Sequence, residues 1–139
     1  DLIGICTTNS ALWLAPTGGP TPLFGTNPLG VGVPAGRHHP IVLDVSMSAT
    51  AKGKVALHLA EGRPLQPGWI MDRRGRTSTD PADLVAGLGV PIGNHKGYGL
   101  ALVMEILSGV LTGAGFGSDH RRERMKRAGE RADFGHFFM

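Results

Sequence analysis

Glycine and proline are so frequent in this chain that most of it cannot sustain long regular elements. Of its 139 residues, 22 are Gly and 10 are Pro, against averages of roughly 7% and 5%. Each interior Gly costs a helix about 1 kcal/mol relative to Ala, which argues against a plain helical bundle. No Gly-X-Y period runs through the sequence, so a collagen-like rod is excluded. Hydrophobic residues make up 41% of the chain and charged residues 18%, a balance that favours a packed core over disorder throughout. The length allows one domain at most, since domains usually run to about 100–150 residues.

The regular elements fall in the gaps between these breakers. Residues 2–8 (LIGICTT) form a continuous apolar, β-branched run that predicts a buried strand. Residues 15–29 hold four Pro and three Gly and read as a loop. Val31 and Val33 suit a short strand before Pro34. Residues 41–46 (IVLDVS) are the clearest strand. Ser48 is placed to cap a helix over 49–61, closed by Gly62, with Ala51, Val55 and Leu59 along one face. Residues 72–75 predict a turn, and Asp80 before Pro81 predicts a short capped helix over 81–86. Residues 97–113 (GYGLALVMEILSGVLTG) are apolar almost all round and read as a buried core helix. A membrane span needs about 20 such residues and rarely carries an acid like Glu105. Gly109 and Gly113, four apart, suit close packing of another backbone.

Cysteine and charge narrow the classes further. The single Cys6 cannot form an internal disulfide and lies in an apolar run, where it reads as a small buried hydrophobe. One Cys and scattered His make no zinc pattern, and cytoplasm is the default compartment. The net charge of +3 resides in segment 119–131, which has six basic and three acidic residues. That stretch has no aromatic residue to interleave with its cations, so it reads as a solvated or mobile connector rather than a nucleic-acid surface. The chain starts at Asp1 and stops just after Phe137 and Phe138, which gives the expectation that both ends are cut from a longer protein.

Three polar stretches are suited to chemistry. His95 and Lys96 lie between Gly93 and Gly97 at the start of the apolar helix. A helix N-terminus offers unpaired N–H groups and about half a positive charge, which with Lys96 suits a phosphate or carboxylate. Lys96 simply solvated at a helix start is the alternative. Asp44 ends a strand, where α/β proteins bind ligands, and Ser46 and Ser48 follow it as hydrogen-bond donors. Its alternative role is to cap the next helix. Residues 7–10, ending in Ser10, form a polar cluster that turn chemistry alone would also explain. His38 and His39 sit in a Pro- and Gly-flanked turn, His58 reads as surface, and His136 as a hydrogen-bonded structural residue. No GxGxxG follows a strand and no GxSxG appears, so neither a Rossmann nucleotide site nor a nucleophile elbow is supported.

Several segments resemble, in order, the malate/L-lactate dehydrogenase family, the type-2 lactate dehydrogenases. They are residues 3–10 (IGICTTNS), 25–28 (GTNP), 43–48 (LDVSMS), 67–69 (PGW), 79–81 (TDP), 95–102 (HKGYGLAL), 105–117 (EILSGVLTGAGFG) and 135–138 (GHFF). The resemblance implies an α/β fold: a mixed sheet with a buried helix, forming a non-Rossmann nicotinamide-cofactor domain of the sulfolactate-dehydrogenase-like type, here incomplete. Residues 1–139 would then be a partial cofactor-binding domain of a longer dehydrogenase, with 118–133 as a mobile basic connector.

Members of that family transfer hydride between NAD or NADP and a 2-hydroxy/2-keto acid such as malate or lactate, or an imino acid. The resemblance implies cofactor contacts at Asp44, Val45 and Ser46, at His95 and Lys96, and at Ser10. The family's proton-donating His belongs to a helical region upstream of the matched part, and none of the six His here occupies that position. No catalytic or metal-binding residue is therefore assigned, and the isolated chain is expected not to turn over substrate. The resemblance also implies a homo-oligomer, at least a dimer; the composition of 119–131 and the length of 97–113 give no nucleic acid and no membrane as expected partners. The alternative function is a non-catalytic remnant of the family, acting only as a packing or assembly module.

Overall fold

The computed structural model describes residues 1–85, 87–117 and 133–139. The basic segment 119–131 lies outside the described residues, as does nearly all of the expected connector. Among the described residues the strands form two sheets. The larger has the order β3-β2-β1-β7, with β1 at Gly4–Thr8, β2 at Leu29–Val33, β3 at Ile41–Val45 and β7 at His136–Phe138. Its ladders are all antiparallel. The smaller has the order β5-β4-β6, built from β4 (Ile70–Met71), β5 (Thr77–Ser78) and β6 (Leu88–Gly89). One parallel bridge, Leu14 to Gly89, ties the first loop to it. Gly89 has no side chain because the Trp13 indole lies against its Cα, and a Cβ would collide with the ring.

The core gathers Trp13, Leu14, Met47, Val55, Leu65, Ile70, Ala101 and Met104. Leu29 and Val45, cross-strand partners in the larger sheet, pack against it. Successive strand residues point to opposite faces, so the sheet turns Thr7, Leu29 and Val45 inward at one end. The other end is less covered: Ile41, Val42 and Leu43 on the edge strand β3 are all exposed, Val42 at 72%.

Several sequence expectations change here. The strand over 2–8 begins at Gly4, and Leu2 is 90% exposed. Cys6 is exposed rather than buried, because its position on β1 points away from the core. The strand over 41–46 ends at Val45. The helix over 49–61 shortens to α1, Lys52–Ala60, entered at Ala51 without a side-chain cap. Ser48 does not cap it, because its hydroxyl donates to the Thr50 carbonyl at 2.7 Å. Of the expected apolar face only Val55 is buried. Lys52 and Lys54 lie over the Trp13 and Trp69 rings, 4.7 and 4.9 Å from the centroids. Partial burial lowers the Lys52 pKa.

The short helix after Asp80 is a 3-10 turn, Pro81–Val85, with the Ala82 amide donating to the Asp80 carboxylate at 2.9 Å as a cap should. Ala86 lies outside the described residues. His136 is exposed, and among the described residues its ring makes no hydrogen bond. His58 is half-buried, with Nδ1 2.8 Å from the Pro64 carbonyl.

The long apolar run is α2, His95–Glu105, followed by one π-helical stretch, Ile106–Val110. It is covered on one side only. Gly97, Ala101, Met104, Glu105, Ser108 and Gly109 are buried, while Leu100, Leu102, Val103, Ile106, Val110 and Leu111 are exposed. A run apolar all round says nothing about which face gets covered. Gly109 does allow a close approach: a Cβ there would lie 2.6 Å from Asn9 Nδ2. Gly113 ends the run at φ 75°, and among the described residues a Cβ there would meet nothing within 4 Å. Among the described residues no helix is long and apolar enough to cross a membrane.

Candidate functional site

The segment that follows β3 is joined by backbone hydrogen bonds to the loop before β2 and to the segment that leads into α2. After β3, the Met47 amide donates to Thr26 O at 2.8 Å, and Met47 O accepts from the Ile92 amide at 3.0 Å. The Ala49 amide donates to Val90 O at 2.8 Å. Residues 47–49 therefore run beside residues 90–92, which lead into α2. Gly93 (φ 59°) and Asn94 (φ 56°) turn the chain through left-handed backbone so that α2 starts at His95. A hollow of about 320 Å³ adjoins this turn, lined by Asn94, Pro91, Gly18, Gly19 and Arg74 among others. Arg74 escaped sequence reasoning because its own segment signals only a turn. No local pattern shows that the turn folds towards α2.

The predicted residues separate into two kinds. Asp44, His95 and Lys96 are exposed, and among the described residues their side chains make no hydrogen bond or ion pair. Asp44 does not cap a helix. Ser46 Oγ lies 2.8 Å from Ser48 Oγ and is half-buried. The Val45 side chain turns into the core, so only its backbone is available to a ligand. Ser10 is built into the loop itself. Its hydroxyl accepts from the Thr26 amide at 2.9 Å, and its amide donates to Asn27 Oδ1 at 3.0 Å.

Behind Ser10 lies a buried polar network that sequence reasoning missed. Asn27 is fully buried, and its Nδ2 donates to Ala101 O at 3.0 Å and to Glu105 Oε2 at 2.7 Å. Glu105 is 2% exposed, and its other oxygen accepts from the Gly117 amide at 2.9 Å. Asn9 Nδ2 donates to Gly115 O at 2.8 Å while its Oδ1 accepts from the Gly135 amide at 3.1 Å. Burying such groups costs about 1–3 kcal/mol each unless they are hydrogen-bonded. The network therefore fixes the loop that carries Ser10 against α2. An acid inside an apolar helix was the visible signal, but its partner lies 78 residues away in the chain.

The outward face of the larger sheet forms a cleft of about 910 Å³, within the roughly 300–1,000 Å³ of small-molecule sites. Directly paired residues share a face. Register thus sets Phe138, Cys6, Gly30 and Asp44 in one row across four strands. Gly4, Gly32 and Val42 form the next row. The cleft is largely apolar, and among the described residues Asp44 is the one side-chain carboxylate lining it. One acceptor and one cationic site thus suit a nicotinamide dinucleotide. An open carboxylate suits ribose hydroxyls, and a helix start carrying Lys96 suits phosphate.

Comparison with known proteins places the chain in a family. Residues 1–139 match the family model described as malate/L-lactate dehydrogenase, and the chain belongs to that family. It is 43% identical over 116 residues to (2R)-3-sulfolactate dehydrogenase (NADP(+)) of Chromohalobacter salexigens, covering 84% of this chain and 35% of the relative. It is 42% identical over 112 residues to Delta(1)-pyrroline-2-carboxylate reductase 2 of Burkholderia multivorans, covering 81% and 33%. Among solved structures, malate dehydrogenase from Entamoeba histolytica superposes with TM-score 0.88 at 32% identity, over 98% of this chain and 41% of that one. Sulfolactate dehydrogenase from Methanocaldococcus jannaschii gives 0.80 at 35% identity, over 98% and 38%. The α/β fold expected from the resemblance is thus the fold of this family. The chain spans about a third of the length of these curated relatives.

Proposed function

We propose that this chain is the cofactor-contacting part of an NAD(P)-dependent oxidoreductase acting on a 2-hydroxy/2-keto acid, such as malate or lactate, or on a cyclic imino acid. One observation supports this above the rest. The exposed Asp44 and the Lys96-bearing start of α2 stand on segments hydrogen-bonded side by side, through Met47 and Ile92. When bound, the nicotinamide cofactor supplies the hydride chemistry. Asp44 accepts hydrogen bonds from ribose hydroxyls, with the Val45 backbone and Ser46 beside it. Lys96 and His95, at the positive end of α2, hold phosphate. Ser10 keeps the neighbouring loop in shape through Thr26 and Asn27.

None of the described His is assigned as proton donor. His38 and His39 lie in an exposed turn, His58 is engaged with Pro64, His95 belongs to the phosphate site, and His136, exposed on β7, does not occupy the position of the family's proton donor. The resemblance to the family implies a proton-donating His in a region upstream of the matched part, and on this reading residues 1–139 alone bind cofactor without turnover. A cytoplasmic location belongs to the same reading. The exposed apolar side of α2 favours a homodimer or larger assembly, and it is also what favours the second reading, a non-catalytic packing module.

Titration with NADH and NADPH, followed by nicotinamide fluorescence, tests the proposal. Saturable binding that weakens about tenfold in Lys96→Ala is expected, the loss of one charge-assisted contact of about 1.5 kcal/mol. No binding, or affinity unchanged in that variant, would leave the packing module as the better account. Steady oxidation of either cofactor by the chain with a 2-keto acid would overturn the expected inactivity.

A further inference from the structure

The sequence offers Ser46 and Ser48 as hydrogen-bond donors beside Asp44, yet the structure leaves neither with a proton to give. A serine hydroxyl carries one proton and two lone pairs. Ser48 Oγ lies 2.7 Å from Thr50 O. A carbonyl only accepts, so this bond uses the Ser48 proton. Ser48 Oγ also lies 2.8 Å from Ser46 Oγ, and the proton between the two hydroxyls is therefore that of Ser46. Ser46 Oγ in turn accepts from the Ser48 amide at 3.2 Å. Ser48, 5% exposed, is engaged wholly inside the chain. Half-buried Ser46 keeps one lone pair and no proton. The segment cannot easily swing to change this, because Met47 and Ala49 are tied by backbone hydrogen bonds to Thr26, Ile92 and Val90.

We infer that Ser48 is a positioning residue of the cofactor site, acting through Ser46. It draws the Ser46 proton inward, so that what Ser46 has left for a ligand is an acceptor. The Asp44 carboxylate accepts as well. The end of β3 thus takes groups that donate, such as the hydroxyls of a ribose. It offers nothing to a phosphate, whose oxygens also accept, and phosphate is left to the Lys96 end. A hydroxyl oriented before the ligand arrives need not be ordered on binding. The inference rests on the proposed cofactor site and goes beyond it by assigning Ser48 and the hydrogen-bonding sense of Ser46.

A cycle of Ser46→Ala, Ser48→Ala and the double variant tests it, with NADH titrated into each and melting followed in parallel. Ser46→Ala should weaken NADH about fivefold, the worth of one hydrogen bond. Ser48→Ala should weaken it about threefold, because the Ser46 hydroxyl is then free to rotate and must be ordered by the ligand. In the Ser46→Ala background, Ser48→Ala should weaken NADH no further, as for two residues acting through one contact. Melting should behave differently: Ser48→Ala leaves Thr50 O without its donor and lowers the melting temperature in both backgrounds.

A serine that merely held the segment in shape would weaken NADH by the same factor with or without Ser46, and that result would overturn the inference. Unchanged NADH affinity in Ser48→Ala would overturn it too. If Ser48→Ala does not fold, Ser48→Cys, whose thiol is a weak donor and a weak acceptor, carries the same cycle. If the unsubstituted chain binds no NADH, or Lys96→Ala leaves its affinity unchanged, the cofactor site itself is wrong and the role of Ser48 falls with it. If Lys96→Ala does weaken NADH while the Ser48 effect persists without Ser46, the role of Ser48 falls and the cofactor site stands.

Discussion

Asn27 and Asp44 lie close in the sheet: Asn27 stands three residues before Gly30, and Asp44 is directly across from Gly30. Their environments are opposite. Asn27 is fully buried and both ends of its amide are engaged, with Ser10, Ala101 and Glu105. Asp44 is exposed in a cleft, and among the described residues nothing engages its carboxylate. A buried polar group is tolerated only when bonded, so the first environment shapes the loop. A polar group left open on a largely apolar face has its bonding capacity in reserve for a ligand.

The contrast is broken most sharply by Asn27→Ala. It removes one donor to the buried Glu105 and the acceptor for the half-buried Ser10 amide. Urea denaturation should show a loss of about 3 kcal/mol or more. A loss under about 1 kcal/mol would mean that water or loop movement replaces the lost bonds. Asp44→Asn should do the reverse. Stability should stay within about 0.5 kcal/mol, as for surface changes away from special features, while NADH and NADPH affinity falls. A melting point lowered as far as in the Asn27 variant would erase the distinction.

Asp72 sharpens the comparison from a third position, with the smallest effect. It is half-buried, and the Arg76 backbone amide, and next the Arg76 side chain, hold its carboxyl below the usual carboxylate range. A depressed folded pKa means that its contribution is present above the unfolded value and lost as pH falls through the folded one. The β4–β5 turn should therefore loosen only below about pH 4. Amide chemical shifts of Arg74 and Arg76 during acid titration would report it, and shifts already moving near neutral pH would contradict this assignment.

Local chemistry was legible where a short pattern decides it. IVLDV is a strand because its residues are β-branched or apolar, and α2 begins after Gly93 and Asn94 because the chain must turn there. Asp44 and Lys96 stood out as polar groups at the ends of such elements. Which face of an element is covered depends on distant parts of the chain. For that reason Cys6 read as buried and is exposed, and the 97–113 run read as fully enclosed and is covered on one side. Val45 illustrates the same limit within the site, since period-two alternation sends its side chain away from Asp44. The Glu105–Asn27 pair and the union of Gly4 with Gly30 and Gly32 exist only through register and long-range packing, which no window of sequence contains.

The π-helical stretch after Glu105 also bears on how this gene tolerates change in length. A π turn holds one residue more than an α turn at nearly the same rise. Deleting one residue within 106–110 would let the stretch relax to a regular α-helix. Because each α-helical residue advances about 100° around the axis, the extra residue sets the rotational phase of everything after it. Ser108 and Gly109 both face inward at this point, with Gly109 against Asn9. A single-codon deletion here would therefore be absorbed by the helix but felt in the loops that follow, whereas a same-length substitution on its exposed side would leave that phase unchanged.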